Sequence, residues 1–319
     1  LGFLSDTFAE GYVNPDVVSG PRICSNSLPP YASADLEQSR IIGQNIFESP
    51  TGNHTTWALE IASTLLRTGW AVVRQALEPA LVAKLVLTAN HVVDQMLQQD
   101  PHRIGNRGPR RYSFGGASTT HHLVHHEAWS SLLDLPLITP ILASAFGGDY
   151  MAIGGGGDFV LGPTDTHQRL HVDLSHPEMY DVGLPPAVVV NFAVENVTCA
   201  DGPMRVVPGT HQTPIGLAES VTPRSGALAS ASALELEIHM LPKLGLQSVT
   251  LCPLRPGDAM LRDMRLWHGG TPHHGKMTRL LPSIEFLSPR FAGLLVGTDD
   301  HFAPRRVLPF ARWAALSVH

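Results

Sequence analysis

Three side chains in this sequence have the types and spacing to share one metal ion. His171 and Asp173 are two residues apart in a stretch that reads as extended backbone, where alternate side chains point to the same side. His268 ends an apolar run just before a Gly-Gly turn, so a second strand can deliver it to the same point. Two imidazoles and one carboxylate on one face leave coordination positions open, as in non-haem Fe(II) oxygenases.

Spacing alone does not single out this site. The chain contains 17 histidines, so an H-x-D tripeptide is expected roughly once by chance. Two H-x-E tripeptides, at 125–127 and 176–178, offer rival ligand pairs. The first precedes a predicted helix, where side chains two apart diverge, and a proline inside the second disfavours a regular strand. The geometry therefore favours His171 and Asp173.

The composition is that of an ordinary globular protein and narrows the range of partners. The chain has 319 residues, of which 43% are apolar, enough to bury a substantial core. The formal net charge is -6, whereas a nucleic-acid partner requires a basic surface. The longest apolar stretches are too short or too interrupted to span a bilayer. We therefore expect neither a nucleic acid nor a membrane as partner.

The three cysteines, Cys24, Cys199 and Cys252, are odd in number, widely spaced and without a C-x-x-C pair. This pattern predicts neither a disulfide framework nor a thiolate zinc site, and it favours a reducing compartment. The predicted location is therefore cytoplasmic, although the first residue is Leu and a targeting segment can have been removed. No heptad seam or apolar stripe indicates an oligomeric state.

Composition also divides the chain into an arm, one domain and an insertion. Residues 1–50 are rich in Pro, Ser, Gly and Asn without a sustained period, which predicts an irregular N-terminal arm. Residues 51–319 are predicted to form a single domain. Within it, residues 214–246 are dominated by Ala, Ser, Leu and Gly and are predicted to be an insertion with local structure of their own.

Hydrophobic periodicity predicts helices in the earlier part of the sequence and strands in the later part. Amphipathic helices are predicted at residues 57–67, 78–99 and 127–146, and residues 101–118 read as a basic loop. From Tyr150 onward, short strands are separated by Gly, Pro, Asn and Asp, which indicates a β-barrel or sandwich and hence an α+β protein. Four consecutive glycines at 154–157 lack the phosphate-loop spacing, so we interpret them as a bulge or a close backbone approach.

Four motifs in a fixed order resemble the phytanoyl-CoA dioxygenase family. They are His171-Val172-Asp173-Leu174, the segment from Gly202 to His211, Arg255-Pro256-Gly257-Asp258, and the pair His268 and Arg279. The resemblance covers roughly residues 59–289 and is sharpest from 168 to 286. It implies a double-stranded β-helix, that is, a cupin-like jelly roll, with N-terminal helices packed on it. It also implies that His171, Asp173 and His268 ligate Fe(II), with 2-oxoglutarate and O2 as co-substrates.

The resemblance assigns two further residues to 2-oxoglutarate. Arg279 follows a turn that could fold its strand back toward the metal, and a guanidinium fork suits a carboxylate. By resemblance, Arg279 holds the distal carboxylate of 2-oxoglutarate while the keto-acid end chelates iron. Gln168, three residues before His171, resembles a glutamine that several members place beside this co-substrate.

The predicted activity is that of an oxidoreductase, a 2-oxoglutarate-dependent dioxygenase that releases succinate and CO2. Halogenating relatives lack the carboxylate ligand, whereas Asp173 is present, which favours hydroxylation, desaturation or ring formation. Arg111 and Tyr112 are candidate substrate contacts on a lid, because the segment offers both charge and an aromatic group. The resemblance implies a small-molecule substrate, whose identity is not evident from the sequence.

Two other functions are compatible with the same barrel. One is a metalloenzyme of the cupin type that does not use 2-oxoglutarate, against which Arg279 at its family spacing argues. The other is a catalytically silent jelly roll that acts as a binding module, which the complete set of ligands disfavours. Joint binding of Fe(II) and 2-oxoglutarate distinguishes the three.

Overall fold

The computed structural model describes residues 42–118, 122–174, 177–180, 183–212, 235–236, 241, 244–246, 248–251, 253–295 and 308–309. Most of the predicted N-terminal arm (1–50) and of the predicted insertion (214–246) lies outside the described residues. The division into arm, domain and insertion therefore stays a prediction.

Four α-helices and four 3-10 helices lie wholly within the described residues. The α-helices are α1 (His54–Thr68), α2 (Pro79–Gln99), α3 (Glu127–Ser130) and α4 (Thr139–Phe146). The 3-10 helices span Phe114–Ala117, Pro177–Met179, Thr210–Gln212 and Pro289–Leu295.

Helix α1 begins and ends at residues that suit those positions. The side chain of Asn53 accepts hydrogen bonds from the backbone N–H groups of Thr55 and Thr56, which would otherwise lack partners at the helix start. Gly69 ends the helix with a φ of 86°, a left-handed conformation that glycine adopts without steric cost. The chain therefore turns directly from α1 into the first long strand of the sheet.

The described strands form two sheets, and every strand pair except β1 with β2 is antiparallel. The strands are β1 (Ile46–Phe47), β2 (Trp70–Val73), β3 (Arg111–Ser113), β4 (Met151–Val160), β5 (Leu170–His171), β6 (Ala187–Phe192), β7 (Met204–Val206), β8 (Glu235–Leu236), β9 (Val249–Thr250), β10 (Ala259–Asp263), β11 (His268–Gly270), β12 (Arg279–Leu287) and β13 (Leu308–Pro309). The eight-stranded sheet has the order β1-β2-β10-β6-β12-β4-β13, with β3 also paired to β4. The five-stranded sheet has the order β8-β5-β11-β7-β9.

The chain passes back and forth between the two sheets. Strands β4, β6, β10 and β12 belong to the eight-stranded sheet, and β5, β7 and β11, which come between them in sequence, belong to the five-stranded sheet. Such alternation produces a double-stranded β-helix, in which a cavity lies between the two sheets. The predicted fold class, an α+β protein with a jelly-roll core, is confirmed.

The eight-stranded sheet separates the helical core from this cavity. On β6, Val188, Val190 and Phe192 join side chains of α1 and α2 in one buried apolar cluster. The alternate residues Val189 and Asn191 face the cavity. The period of two along a strand thus explains how one sheet packs helices on its outer face and lines a polar site on its inner face.

The glycine run at 154–157 lies in the middle of β4, against the cavity. A Cβ atom added to Gly157 would lie 2.0 Å from the carbonyl oxygen of Leu281, and Gly157 has a φ of 85°. A Cβ atom on Gly156 would lie 2.9 Å from the backbone nitrogen of Gly115. The register with β12 shifts nearby, between Glu285 and Phe286. The prediction of a bulge and a close backbone approach is confirmed.

Two predicted segments differ from the structure. The single helix predicted at 127–146 is two short helices, α3 and α4, joined by turns, because Pro136 and Pro140 interrupt the hydrogen bonding of a continuous helix. The basic loop predicted at 101–118 contains strand β3 and a 3-10 helix. Its pairing with β4 makes this segment part of the eight-stranded sheet.

Two further predictions concern cysteines and membranes. Cys199 is disulfide-bonded, which the number and spacing of the cysteines did not indicate. The cytoplasmic location loses the support that it drew from the cysteine pattern, because disulfides are rare in reducing compartments. Among the described residues, no helix is both long and apolar enough to cross a membrane.

Candidate metal centre

The two predicted histidine ligands face each other across neighbouring strands. His171 of β5 is the direct antiparallel partner of His268 of β11. Side chains at such paired positions lie on the same face of a sheet, and the two ring centroids are 4.3 Å apart. The second strand that the sequence requires for His268 is therefore the immediate neighbour of the first.

Asp173 lies just beyond β5, held by the backbone. Its N–H group and that of Leu174 donate to the carbonyl of Met264, at 3.0 and 3.1 Å. Its Oδ1 is 3.7 Å from His171 Nε2, and its Oδ2 is 3.6 Å from His268 Nε2. One ligand atom from each of the three residues lies within 4.8 Å of the others. This donor set fits a non-haem iron, because two neutral imidazoles and one carboxylate leave further positions open.

Backbone carbonyls orient both imidazoles. The Nδ1 atom of His171 is 3.0 Å from the carbonyl oxygen of Arg169, and that of His268 is 3.0 Å from the carbonyl oxygen of Leu266. A carbonyl oxygen only accepts hydrogen bonds, so Nδ1–H is the donor in the tautomer that satisfies both contacts. That tautomer leaves the Nε2 lone pairs directed toward Asp173 and available to a metal.

A buried arginine lies behind the ligands. Arg262 Nη2 donates to Asp173 Oδ2 at 2.7 Å, and Arg262 Nη1 is 3.1 Å from His268 Nδ1. Burial raises the pKa of Asp173, but attraction by Arg262 and the two imidazoles is stronger and lowers that pKa below its ordinary value. Burial lowers the pKa of His268, and Arg262 lowers it further. The site thus favours an ionised carboxylate and a neutral imidazole, the forms that bind metals.

The ligands open onto a cavity of about 380 Å³ between the sheets. One part of its wall is formed by glycines of β4 and of the 3-10 helix that precedes α3, and the rest is lined by polar side chains and a few valines and methionines. The lining residues are Asn106, Arg107, Ser113, Gly115, Gly116, His122, Gly154, Gly155, Gly156, Gly157, Asp158, Gln168, His171, Val172, Asp173, Val189, Asn191, Met204, Arg262, Met264, His268, Gly270, Arg279, Ser283 and Glu285.

Arg279, the first residue of β12, points into this cavity without a carboxylate partner among the described residues. It is 7% exposed, and its Nε atom is buried without a hydrogen-bond partner. Burial lowers the pKa of Arg279 to about 10, an effect that Asp158 opposes and Arg111 increases. An arginine remains protonated at that value. A buried, unpaired guanidinium fits an anionic ligand, since burial strengthens its attraction for a carboxylate.

Gln168 lines the cavity on the same side as the ligands. Its Oε1 accepts a hydrogen bond at 3.1 Å from the N–H group of Gly270, two residues after His268. With the oxygen engaged in this way, the amide nitrogen is the part of the side chain that remains to donate. The structure therefore brings Gln168, Arg279 and the three predicted ligands to one cavity.

The predicted lid contacts lie elsewhere. Tyr112 is 3% exposed, donates from its hydroxyl to Asp100 Oδ2 at 2.7 Å, and stacks on Phe159 with ring centroids 4.6 Å apart. Arg111 is also buried, and its Nη2 donates to the carbonyl of Thr271 at 2.6 Å. Neither residue lines the cavity. The structure does not bring Arg111 or Tyr112 to the cavity, because pairing with β4 draws this segment into the sheet.

The rival ligand pairs do not form a metal cluster in the described residues. Within the part of the chain that the structure describes, His171, Asp173 and His268 are the group of three potential ligands close enough to share an ion. At 125–127 the two histidines and the glutamate are exposed, at the start of α3. Residue 176 lies outside the described residues.

The sequence did not draw attention to two charged residues of the cavity, Arg262 and Glu285. Each has an apolar residue directly before it in a buried strand, Leu261 before Arg262 on β10 and Ile284 before Glu285 on β12. The signal that could have revealed them is a charged residue at a position of a buried strand whose side chain points inward. Glu285 has no hydrogen bond or ion pair to another described residue, and burial, aided by Asp173 and Asp158, raises its pKa to about 7.

The fold and the site together define a class, the jelly-roll proteins that present two histidines and a carboxylate at the mouth of a barrel. The model of the phytanoyl-CoA dioxygenase family matches residues 65–280. The chain therefore belongs to the phytanoyl-CoA dioxygenase family. It is an oxidoreductase, a 2-oxoglutarate-dependent non-haem iron dioxygenase with Fe(II), 2-oxoglutarate and O2 as its cofactor and co-substrates.

Two solved structures are similar to this chain at low sequence identity. The epimerase SnoN, crystallised in complex with Fe3+, alpha ketoglutarate and nogalamycin RO, is 19% identical, with a TM-score of 0.50 over 73% of this chain and 84% of SnoN. AviO1 from Streptomyces viridochromogenes Tue57 is 17% identical, with a TM-score of 0.47 over 76% of this chain and 97% of AviO1. Comparison with curated proteins gives no significant match.

Proposed function

We propose that His171, Asp173 and His268 bind the catalytic Fe(II), and that the enzyme hydroxylates, desaturates or cyclises a small organic molecule. One observation carries this proposal. The potential ligand atoms of the three residues lie within 4.8 Å of one another, and they open onto the cavity that also holds the unpaired guanidinium of Arg279.

When bound, Fe(II) supplies O2 activation coupled to the oxidative decarboxylation of 2-oxoglutarate to succinate and CO2. The chain supplies binding and orientation. Its backbone carbonyls fix the imidazole tautomers, and Arg262 holds the carboxylate of Asp173 in its ionised form. Because a carboxylate occupies position 173, where halogenating relatives leave room for a halide, oxidation is favoured over halogenation.

We assign the binding of 2-oxoglutarate to Arg279 and Gln168. A dicarboxylate whose keto-acid end reaches the three ligands can direct its other carboxylate to Arg279, which lacks a carboxylate partner among the described residues. The fork of a guanidinium pairs with both oxygens of a carboxylate. Gln168 anchors its own oxygen on Gly270 and directs its amide N–H₂ group into the same space.

We further propose that the substrate lies against the glycine wall of β4. The cavity of about 380 Å³ is within the range of small-molecule sites. Side chains are missing from that wall at positions 154–157, which leaves room beside the ligands. Glu285 and Arg107 offer an acceptor and a cation at its edge, so they replace Arg111 and Tyr112 as candidate substrate contacts.

Binding of Fe(II) to purified variants tests the ligand assignment. His171→Ala is expected to weaken Fe(II) binding by at least roughly 100-fold in anaerobic equilibrium dialysis, because one of three protein ligands is lost. His54→Ala is the matched control, since His54 is exposed at the start of α1. Equal Fe(II) affinity of His171→Ala and the wild type would contradict the assignment.

The cytoplasmic location stays a prediction, for which we offer fractionation of the native host as the test. The oligomeric state stays open.

A further inference from the structure

Arg262 links the two sheets at the proposed iron site. It lies on β10 of the eight-stranded sheet, whereas Asp173 follows β5 and His268 begins β11, both in the five-stranded sheet. Its guanidinium is 2.7 Å from Asp173 Oδ2 through Nη2 and 3.1 Å from His268 Nδ1 through Nη1. One side chain therefore crosses the inside of the barrel and contacts ligands from two separate segments.

The surroundings of Arg262 give its charge few other partners. The residue is 3% exposed, and its Nε atom is buried without a hydrogen bond. Asp173 is the carboxylate with which it forms an ion pair among the described residues. A buried cation is costly unless it is paired, so this pairing accounts for a charged side chain inside the barrel.

We propose that Arg262 is a positioning residue of the iron site, one that fixes the orientation of Asp173 and whose positive charge, beside both Asp173 and His268, favours Fe(II) over Fe(III). The inference rests on the proposed function, in which these residues bind iron. It adds a fourth residue to the three ligands, and this residue acts on the iron through Asp173, to which it donates.

The orienting effect follows from the shape of the side chain. A guanidinium is planar and donates in fixed directions, so the carboxylate of Asp173, which accepts from Nη2, is held in one orientation. A lysine has a single, freely rotating ammonium group and does not impose this orientation. Hydrogen bonds to metal ligands commonly change the properties of the bound metal.

The effect on the oxidation state follows from the charge. Fe(III) carries one more positive charge than Fe(II), so a fixed cation behind the ligands repels the ferric ion more strongly. Water is excluded from this side of the site, since Arg262 is buried, and the repulsion is therefore only weakly screened. Loss of the guanidinium is expected to raise the ratio of Fe(III) to Fe(II) affinity roughly tenfold or more.

The test compares Arg262→Met and Arg262→Lys with the wild type. The first measurement is the Fe(III)/Fe(II) midpoint potential of the iron-loaded protein without 2-oxoglutarate. We expect Arg262→Met to lower it, a tenfold change in the affinity ratio corresponding to about 59 mV for one electron. Arg262→Lys keeps a positive charge and is expected to restore most of the wild-type potential.

The second measurement separates orientation from charge. The visible spectrum of the Co(II)-loaded protein reports the geometry of the ligands. We expect both Arg262 variants to change that spectrum, because neither side chain has the planar guanidinium that orients Asp173. Arg74→Met is the matched control, since Arg74 is also buried and pairs with Asp258 at the opposite end of β10. Arg74→Met is expected to lower stability and leave both the potential and the spectrum unchanged.

Several results would overturn the inference. An unchanged or higher potential in Arg262→Met, or a potential of Arg262→Lys equal to that of Arg262→Met, contradicts the charge effect. A Co(II) spectrum of both variants identical to the wild type contradicts the orienting effect. If Arg262→Met does not fold, as judged by circular dichroism, Arg262→Lys decides both points. Failure of the wild type to bind Fe(II) contradicts the proposed function instead, so the two failures are distinguishable.

Discussion

Asp173 is the acidic residue of the proposed iron site, and it provides the most direct test at the scale of a single side chain. Asp173→Ala removes one ligand and the partner of Arg262. We expect iron-dependent 2-oxoglutarate turnover, measured as succinate release, to fall by at least roughly 100-fold. Asp94→Ala, an exposed position on α2, is the control. Retention of full turnover by Asp173→Ala is incompatible with the proposed site.

Arg279 is expected to determine the affinity for 2-oxoglutarate. Arg279→Met removes charged hydrogen bonds to the distal carboxylate, which corresponds to a roughly 10- to 100-fold higher KM for 2-oxoglutarate. Arg279→Lys keeps the charge without the fork and is expected to give an intermediate value. Kinetics of succinate release at varied 2-oxoglutarate provide the measurement, with exposed Arg290→Met as the control. An unchanged KM in Arg279→Met would require another partner for that carboxylate.

Glu285 links the cavity to pH-dependent stability. Burial raises its pKa from the ordinary 4.5 to about 7, so the folded state binds this proton more tightly than the unfolded chain does. Protonation therefore favours folding. The contribution of Glu285 to stability is most favourable below pH 4.5, declines between about 4.5 and 7, and is fully unfavourable above 7.

Glu285→Gln removes this titration and leaves a side chain of the same shape. We expect the variant to exceed the wild type in free energy of unfolding by at most about 3 kcal/mol at pH 8, with the difference vanishing near pH 4.5. Urea unfolding of the metal-free proteins across this pH range measures it. If the difference in free energy of unfolding between Glu285→Gln and the wild type does not vary with pH, burial does not raise the pKa of Glu285.

At the scale of elements, β4 shapes the cavity because its glycines have no side chains. Gly157→Ala would place a Cβ atom 2.0 Å from the carbonyl of Leu281, at a φ of 85°. Because backbone has to move, we expect a loss of at least about 2 kcal/mol in the free energy of unfolding. Gly52→Ala, where an added Cβ meets nothing within 4 Å, is the control, and urea unfolding distinguishes them. Equal stability of the two variants would contradict a close approach of β4 and β12.

The pairing of short strands determines which side chains meet, and the sequence reveals this only in part. The spacing of His171 and Asp173 predicts that both face one side, and the structure adds the register that places His268 opposite His171. The lid at Arg111 and Tyr112 was predicted from composition alone. Composition does not show that residues 111–113 pair with β4, which buries both side chains.

At the scale of the whole molecule, the order of motifs predicted the family and the jelly-roll fold, because ligand positions and turn residues are local in sequence. The contact that Arg262 makes between the two sheets could not be predicted in the same way. Arg262 contacts Asp173 across 89 residues of sequence, and no local pattern joins them. Burial determines the properties of Arg279 and Glu285 as well, and burial depends on the assembled barrel.

The two sheets must be assembled correctly for the site to exist. The proposed iron ligands lie on the five-stranded sheet, whereas Arg279, Arg262 and Glu285 come from the eight-stranded sheet. Each sheet alone therefore holds an incomplete site. Cofactor binding and the packing of the barrel are thus expected to be coupled, with bound ligand stabilising the folded form.

Anaerobic titration of the purified protein with Fe(II) and then 2-oxoglutarate tests the central claim most directly. A 2-oxoglutarate-dependent iron dioxygenase chelates iron through the keto acid, so a visible metal-to-ligand charge-transfer band should appear and saturate at one equivalent of each. The band should be absent in Asp173→Ala and should require more 2-oxoglutarate in Arg279→Met. Iron binding by the wild type without this band would contradict the assignment of 2-oxoglutarate, and the absence of iron binding would contradict the metal site itself.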